Sequence, residues 1–198
     1  MTKLPASDQI SQLQAEEAFK IILQYIGEDT EREGLKETPK RFINNLQEYF
    51  QGYSKDPKTI LKNTYKETAS YDGMVVLNDI EFISHCEHHF LPIVGKACVA
   101  YIPDNKVVGI SKLARLVHVY AQRLQLQERM NSQIARAIND ILQPKGVAVG
   151  IVARHYCMSS RGVKTLQSSM TTSMFLGTFD NNDHLKNQFI GFLNKIEL

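Results

Sequence analysis

Between Ser84 and His89 the chain reads Ser-His-Cys-Glu-His-His, followed by Phe90-Leu91-Pro92. No other stretch this short gathers three histidines, a cysteine and a carboxylate. A thiolate and an imidazole three residues apart, Cys86 and His89, can reach one Zn²⁺ if the backbone turns between them. On an extended strand they would point to opposite faces, so the metal reading requires a turn here. Pro92 punctuates the stretch, and apolar segments flank it on both sides. A Cys-x-x-His pair alone is a weak signal, and a lone cysteine packs well as a small buried hydrophobe. The polarity of His85, Glu87, His88 and His89 between two apolar segments shifts the balance toward chemistry. Two ligands do not make a zinc site. The candidate partner is His155-Tyr156-Cys157, at the end of another strand-like run.

The elements that must position these groups follow from periodicity. Met74–Leu77 and Ile80–Ile83 read as one strand with a bulge at Asn78-Asp79, and Ile93–Ile102 as a second. Two helices follow. Ser111 is expected to cap the first, with Leu113, Leu116, Val117, Tyr120 and Leu124 on one face. The second opens at Gln127-Glu128 and carries Met130, Ile134, Ala137, Ile138 and Ile141. A third strand spans Val147 to Cys157. Its period of two puts Val147, Val149, Ile151 and Ala153 on one face and, continued, His155 and Cys157 on the same side. A fourth strand, Thr171–Phe179, and a last helix, Asp183–Ile196, complete the chain. Strand, strand, helix, helix, strand, strand implies an α+β layer: an antiparallel sheet with both helices on one face. The second sheet face is then uncovered, and a neighbouring copy is the obvious cover.

Ahead of this domain lies a helical arm. A helix capped by Ser7 or Asp8 carries Ile10, Leu13, Ala18, Ile21 and Tyr25 and stops at Gly27. Thr38 as N-cap with Pro39 at the first helical position starts another, with Phe42, Ile43, Leu46, Tyr49 and Phe50 as its stripe. A short third helix is expected over Ile60–Tyr65. The boundary falls near Ser70, giving an arm over residues 1–70 and a domain over 71–198 that holds the histidine-rich turn.

Composition bounds the rest. Hydrophobic residues make up 43% and charged residues 22% of 198, ordinary for a soluble globular protein. A net charge of +2 is too mild to argue for nucleic acid. Three cysteines cannot form a dense disulfide framework, so a reducing, cytoplasmic setting is expected. The N-terminus lacks the apolar core of a signal peptide. The longest apolar run, Gly146 to Ala153, is far below the ~20 residues that span a bilayer, so no membrane partner is expected.

Several charged groups are not ordinary surface. Lys112 and Arg115 follow Gly109-Ile110-Ser111 in what reads as the first turn of a helix, where basic side chains oppose the dipole but bind phosphate well. The spacing is not that of a Walker loop. Arg161 lies four residues past Cys157, so another guanidinium stands close to the metal. Glu128, after Gln127, could hydrogen-bond an amidine edge such as guanine's.

Cys86-Glu-His-His-Phe, Gly95-Lys-Ala, Ala100-Tyr-Ile-Pro, Gly109-Ile-Ser-Lys, Gln127-Glu-Arg, His155-Tyr-Cys and Arg161-Gly-Val resemble type I GTP cyclohydrolase I, in order. Gly34-Leu with Thr38-Pro-x-Arg41 resembles that family's N-terminal helical motif. Leu124 stands where the family usually has proline, and Ser159-Ser160 stand where bulkier residues are common. The resemblance implies the tunnelling fold and conversion of GTP and water to formate and 7,8-dihydroneopterin triphosphate, the first step of folate or biopterin synthesis. It implies Cys86, His89 and Cys157 as zinc ligands, leaving a fourth position for water, as catalytic zinc requires. It implies His88 and His155 as proton-transfer groups, Gln127 and Glu128 as holders of the guanine edge, and Lys112, Arg115, Arg161 and Arg41 as triphosphate binders. Ser111 is implied near the ribose during its rearrangement. A ring-like homo-oligomer, a decamer by family resemblance, with sites shared between subunits completes the expectation.

Two other classes remain open. A different tunnelling-fold enzyme, such as a 7-deazaguanine reductase, would use a cysteine nucleophile and a nicotinamide cofactor. The paired histidines beside Cys86 and the second site cysteine argue against it. A non-catalytic zinc-binding interaction module would fill four metal positions, and the sequence offers three convincing ligands.

Overall fold

The computed structural model describes residues 10–65 and 71–198. They divide into two units, one ending at Phe50 and one beginning at Gln51. The boundary expected near Ser70 lies outside the described residues, as do Ser7 and Asp8.

In the first unit, α1 spans Gln12–Tyr25. Its cap is Ser11, not Ser7 or Asp8. The Gln14 amide donates to Ser11 Oγ (3.2 Å) and the Ser11 amide to Gln14 Oε1 (2.8 Å), a reciprocal pair that satisfies two otherwise orphaned donors. Helix α2 spans Thr38–Tyr49, and its N-cap is Glu37. Thr38 is therefore one residue inside the helix, its hydroxyl donating back to the Gly34 carbonyl (3.2 Å) rather than accepting an amide. Phe19 of α1 stacks on Phe42 of α2 with ring centroids 3.8 Å apart.

The second unit begins with a 3₁₀ turn over Gln51–Ser54 and a short α3, Pro57–Leu61. Asp56 accepts the Lys58 amide and Pro57 pre-sets the first turn, so this helix starts three residues before the expected Ile60 and ends at Leu61 rather than Tyr65. The chain then runs into β1 (Thr64–Tyr65), β2 (Val75–Cys86), β3 (Pro92–Ile102), β4 (Val107–Val108) and α4 (Ile110–Ala121). Next come β5 (Leu124–Gln125), α5 (Gln127–Leu142), β6 (Gly146–His155), α6 (Tyr156–Ser159), β7 (Met170–Gly177) and α7 (Asp183–Leu193). The small strands β1 and β4 pair with each other. The main sheet has the order β5-β2-β3-β6-β7, antiparallel except for the short β2–β5 pairing. The expected bulge is present: register shifts between Leu77 and Ile80, and Asp79 takes a left-handed φ of 54°.

Both long helices lie on one face, as the element order implied. Leu113, Leu116 and Val117 of α4 and Met130, Ile134 and Ile138 of α5 join Val147, Val149, Ile151 and Ala153 in one core. Several expectations need correction. Leu124, expected on the face of the first long helix, lies beyond its end in β5. Gly109, not Ser111, is the N-cap of α4, which puts Lys112 in the first turn and Arg115 in the second. Strand β6 stops at His155, and Cys157 sits in the helical turn α6. There the Ser159 and Ser160 hydroxyls donate to the carbonyls of His155 (3.3 Å) and Tyr156 (2.7 Å) and close the turn. The second sheet face is not bare either. Phe189, Leu193 and Ile196 pack there on Cys98, Ala100, Ala148 and Val152, which leaves Ile83 and Val94 exposed on the same face.

Candidate metal centre and active site

Cys86 ends β2, and six residues later β3 begins. The connection is a tight turn: the Cys86 carbonyl accepts the Phe90 amide (2.8 Å), and the Cys86 amide donates to the Leu91 carbonyl (2.8 Å). Phe90 takes a left-handed φ of 59°, uncommon for a residue with a Cβ. The reversal brings His89 Nδ1 to 3.7 Å from Cys86 Sγ. Across the sheet, Ile93 of β3 pairs with His155 of β6, so the helical turn that follows delivers Cys157 to the same place.

One ligand atom each from Cys86, His89 and Cys157 lies within 4.8 Å of the others, a group able to hold a metal ion. Two thiols and an imidazole suit zinc, whose bond lengths put neighbouring ligand atoms about 3.6 Å apart in a tetrahedral site. Cys86 is buried, Cys157 half-buried and His89 exposed, so the cluster opens on its histidine side. Burial and the neighbouring Cys86 push the Cys157 thiol up, while Arg161 pulls it down. Arg161 reaches the cluster directly, its Nη1 donating to His89 Nε2 at 3.1 Å. A neutral imidazole has one lone pair, so a metal held through Nδ1 puts the proton on Nε2 and breaks that contact.

Strand β5 ties α5 to this turn. Cys86 pairs with Gln125, and the Glu87 amide donates to the Gln125 carbonyl (3.1 Å). Arg129 of α5 bonds the Glu87 carboxylate, and its Nε donates to Gln125 Oε1 (3.2 Å). That guanidinium holds the Glu87 carboxyl below its ordinary range. His88 is exposed beside Glu87, 4.0 Å from Oε1. Sequence reasoning quoted Arg129 inside Gln127-Glu-Arg but gave it no task. An exposed arginine acquires one only when the fold brings residue 87 to it.

His155 is half-buried, and its Nε2 lies 2.9 Å from Gln127 Oε1. Burial lowers its pKa, partly offset by the nearby Glu128 carboxylate. Glu128 is exposed in the first turn of α5. Gln127 is not: it is 1% exposed, and its amide nitrogen donates to the Ile151 and Met170 carbonyls and to Thr172 Oγ1. Ser111 and Arg115 stand apart from the cysteines, lining a cavity of about 510 Å³ with Lys55 and His118. Lys112 is one residue along the same helix, and Arg41 belongs to the first unit, in α2.

The sequence model of the GTP cyclohydrolase I family matches residues 15–194. The chain belongs to that family. GTP cyclohydrolase 1 of Pelagibacter ubique (strain HTCC1062) is 48% identical over 98% of this chain and 96% of its own. GTP cyclohydrolase 1 of Sinorhizobium fredii (strain NBRC 101917 / NGR234) is 48% identical over 92% and 89%. A crystal structure of the archaeosine synthase QueF-Like in the apo form gives a TM-score of 0.44 at 18% identity, covering 52% of this chain and 93% of that one. For a GTP cyclohydrolase I family member, the α+β tunnelling fold expected from the sequence is the one observed, with α4 and α5 on one face of the antiparallel sheet. Among the described residues no helix is long and apolar enough to cross a membrane.

Proposed function

We infer that this chain performs the reaction of its family: hydrolytic opening of GTP at C8, release of formate, and rearrangement to 7,8-dihydroneopterin triphosphate, the first step of pterin and folate synthesis. The observation that carries this reading is the convergence of Cys86, His89 and Cys157, with His155 and Arg161 around them.

In this reading Cys86, His89 and Cys157 hold Zn²⁺. Bound there, zinc supplies Lewis-acid activation of water at neutral pH. The chain's own residues do the rest. His88 and His155 move protons to and from the opening ring, the usual task of a positioned imidazole. Glu128 offers a carboxylate to the amidine edge of guanine, and its first-turn position leaves it open to a ligand. Arg161, Lys112, Arg115 and Arg41 neutralise the triphosphate, and Ser111 stands near the ribose. Desolvation lowers the His155 pKa against a smaller opposing pull from Glu128, which favours the neutral form able to accept a proton.

The site is shared between copies in a closed ring. Ser111 and Arg115 line a cavity that the cysteine cluster does not, which fits one copy completing another's site. Among the described residues β7 is paired on one side only, and α1 exposes Leu13, Ile21, Ile22 and Tyr25, apolar surface suited to self-association. Free cysteines at a metal centre fit a reducing cytoplasm.

The test is incubation of the zinc-loaded protein with GTP, oxidation, and pterin fluorescence. Fluorescent product is expected. Consumption of NADPH with a 7-deazaguanine substrate, and no pterin from GTP, would replace this reading with the reductase.

A further inference from the structure

Behind His155 lies a buried polar network that a purely apolar core would not need. Gln127 is 1% exposed and Asn131 2%, one turn apart on α5. Thr172 Oγ1 of β7 accepts from both, from Gln127 Nε2 at 3.2 Å and Asn131 Nδ2 at 3.0 Å. The Gln127 nitrogen also donates to the carbonyls of Ile151 (3.1 Å) and Met170 (3.0 Å). Two carbonyl oxygens can only accept, so the amide end facing them must be the NH₂ group. A flipped amide would set three oxygens against one another in a buried site, leaving both carbonyls without these donors.

The rest follows by elimination. With its nitrogen fixed, Gln127 presents Oε1 to His155 Nε2 at 2.9 Å, and an amide oxygen cannot donate. The Nε2 atom must therefore carry the proton. In the neutral ring the lone pair then resides on Nδ1. We propose that Gln127 is a positioning residue for catalysis, locking the neutral His155 ring in the Nε2–H tautomer with its lone pair on Nδ1. This deepens the proton-transfer role given to His155 above and rests on it. It also moves Gln127 from the purine-edge role implied by resemblance to a place behind the histidine.

The two roles predict opposite kinetics. Loss of a purine contact made equally in ground and transition states raises KM and leaves kcat intact. Loss of a tautomer lock lowers kcat with KM nearly unchanged, since half-populated or misaimed imidazole binds no less substrate. Gln127→Met keeps the volume and removes both the acceptor and the donors. It is expected to lower kcat by roughly 10²-fold, the order lost when a catalytic group is misplaced, with KM within about twofold.

The decisive readout needs no activity. Nitrogen NMR of the zinc-loaded protein carrying isotope-labelled histidine, with the His155 signal assigned by its absence in His155→Ala, should show Nε2 protonated and Nδ1 with a free lone pair. In Gln127→Met both tautomers should appear. A wild-type His155 protonated at Nδ1 in its neutral form overturns the proposal without any variant, even if Gln127→Met fails to fold. So does a Gln127→Met protein with an unchanged tautomer, or one in which KM rises and kcat stays. If His155→Ala turns over GTP normally, the proton-transfer reading fails instead, while the tautomer measurement still stands on its own.

Discussion

Cys86 Sγ and His89 Nδ1 lie 3.7 Å apart although they stand three positions apart at the end of a strand. The left-handed Phe90 and the bond from its amide to the Cys86 carbonyl bring this about by reversing the chain within one turn. Alternation along an extended strand would have sent the two side chains to opposite faces.

The proposed division into metal ligands and proton carriers can be tested by substitution. Cys157→Ser should lose both zinc and turnover, because one weakened ligand of three leaves too little to retain the ion. His88→Ala and His155→Ala should keep one zinc per chain and lose roughly 10²- to 10⁴-fold in turnover, the usual worth of a general acid or base. Elemental analysis beside a GTP assay decides each case. Full zinc and activity in Cys157→Ser, or zinc loss in either histidine variant, means that the ligand set is drawn wrongly.

The three cysteines should differ in reactivity. Cys98 is fully buried under α7, and burial, with a smaller push from Asp79, raises its thiol to about 12. It should stay unalkylated at pH 8 in the folded protein. The sign of the linked stability effect follows: the unfolded chain releases this proton near 9.0 while the folded chain keeps it, so stability falls as pH rises from 9.0 toward 12. Cys86 and Cys157, within 4.8 Å, should form a disulfide when metal-free protein is oxidised. Mass spectrometry that finds labelled Cys98, or two free thiols at 86 and 157 after oxidation, contradicts this.

Much of this site was legible because its chemistry is local. The Cys86–His89 spacing, the bulge at Asn78-Asp79 and the Gln127 helix start each follow from a few adjacent residues. What stayed hidden depended on distant partners. Thr172 is 45 residues from Gln127, and no periodicity reveals that its hydroxyl would receive the Gln127 amide. The helical turn carrying Cys157 escaped because the strand pattern ran smoothly into it, and hydroxyl bonds from Ser159 and Ser160 ended the strand early. The cover on the second sheet face was missed for a similar reason. An amphipathic C-terminal helix does not reveal from sequence which surface it will choose.

That cover gives a stability test remote from the chemistry. Phe189 is fully buried and meets Phe175 edge-on, with ring centroids 5.7 Å apart. Phe189→Ala should cost about 3–5 kcal/mol, lowering Tm by roughly 10 °C for a chain of this length. Zinc content should not change. A thermal scan matching wild type would show that α7 does not hold this face.

The proposal that the site is shared between copies can be tested by complementation. Arg41→Ala and Cys157→Ala should each be nearly inactive, the first through phosphate binding and the second through zinc. Co-assembled after dissociation, they should regain activity, because some sites then draw an intact arginine from one chain and an intact metal centre from another. A verified mixed oligomer with no recovery assigns both residues to one chain's site.

The most direct measurement follows both products of one substrate. Zinc-loaded protein incubated with GTP should release formate and 7,8-dihydroneopterin triphosphate in equal amounts, and chelation should abolish both, with zinc restoring them. Formate and pterin in equal yield from protein stripped of all metal would contradict the account, as would a zinc-loaded protein that leaves the imidazole ring of GTP intact.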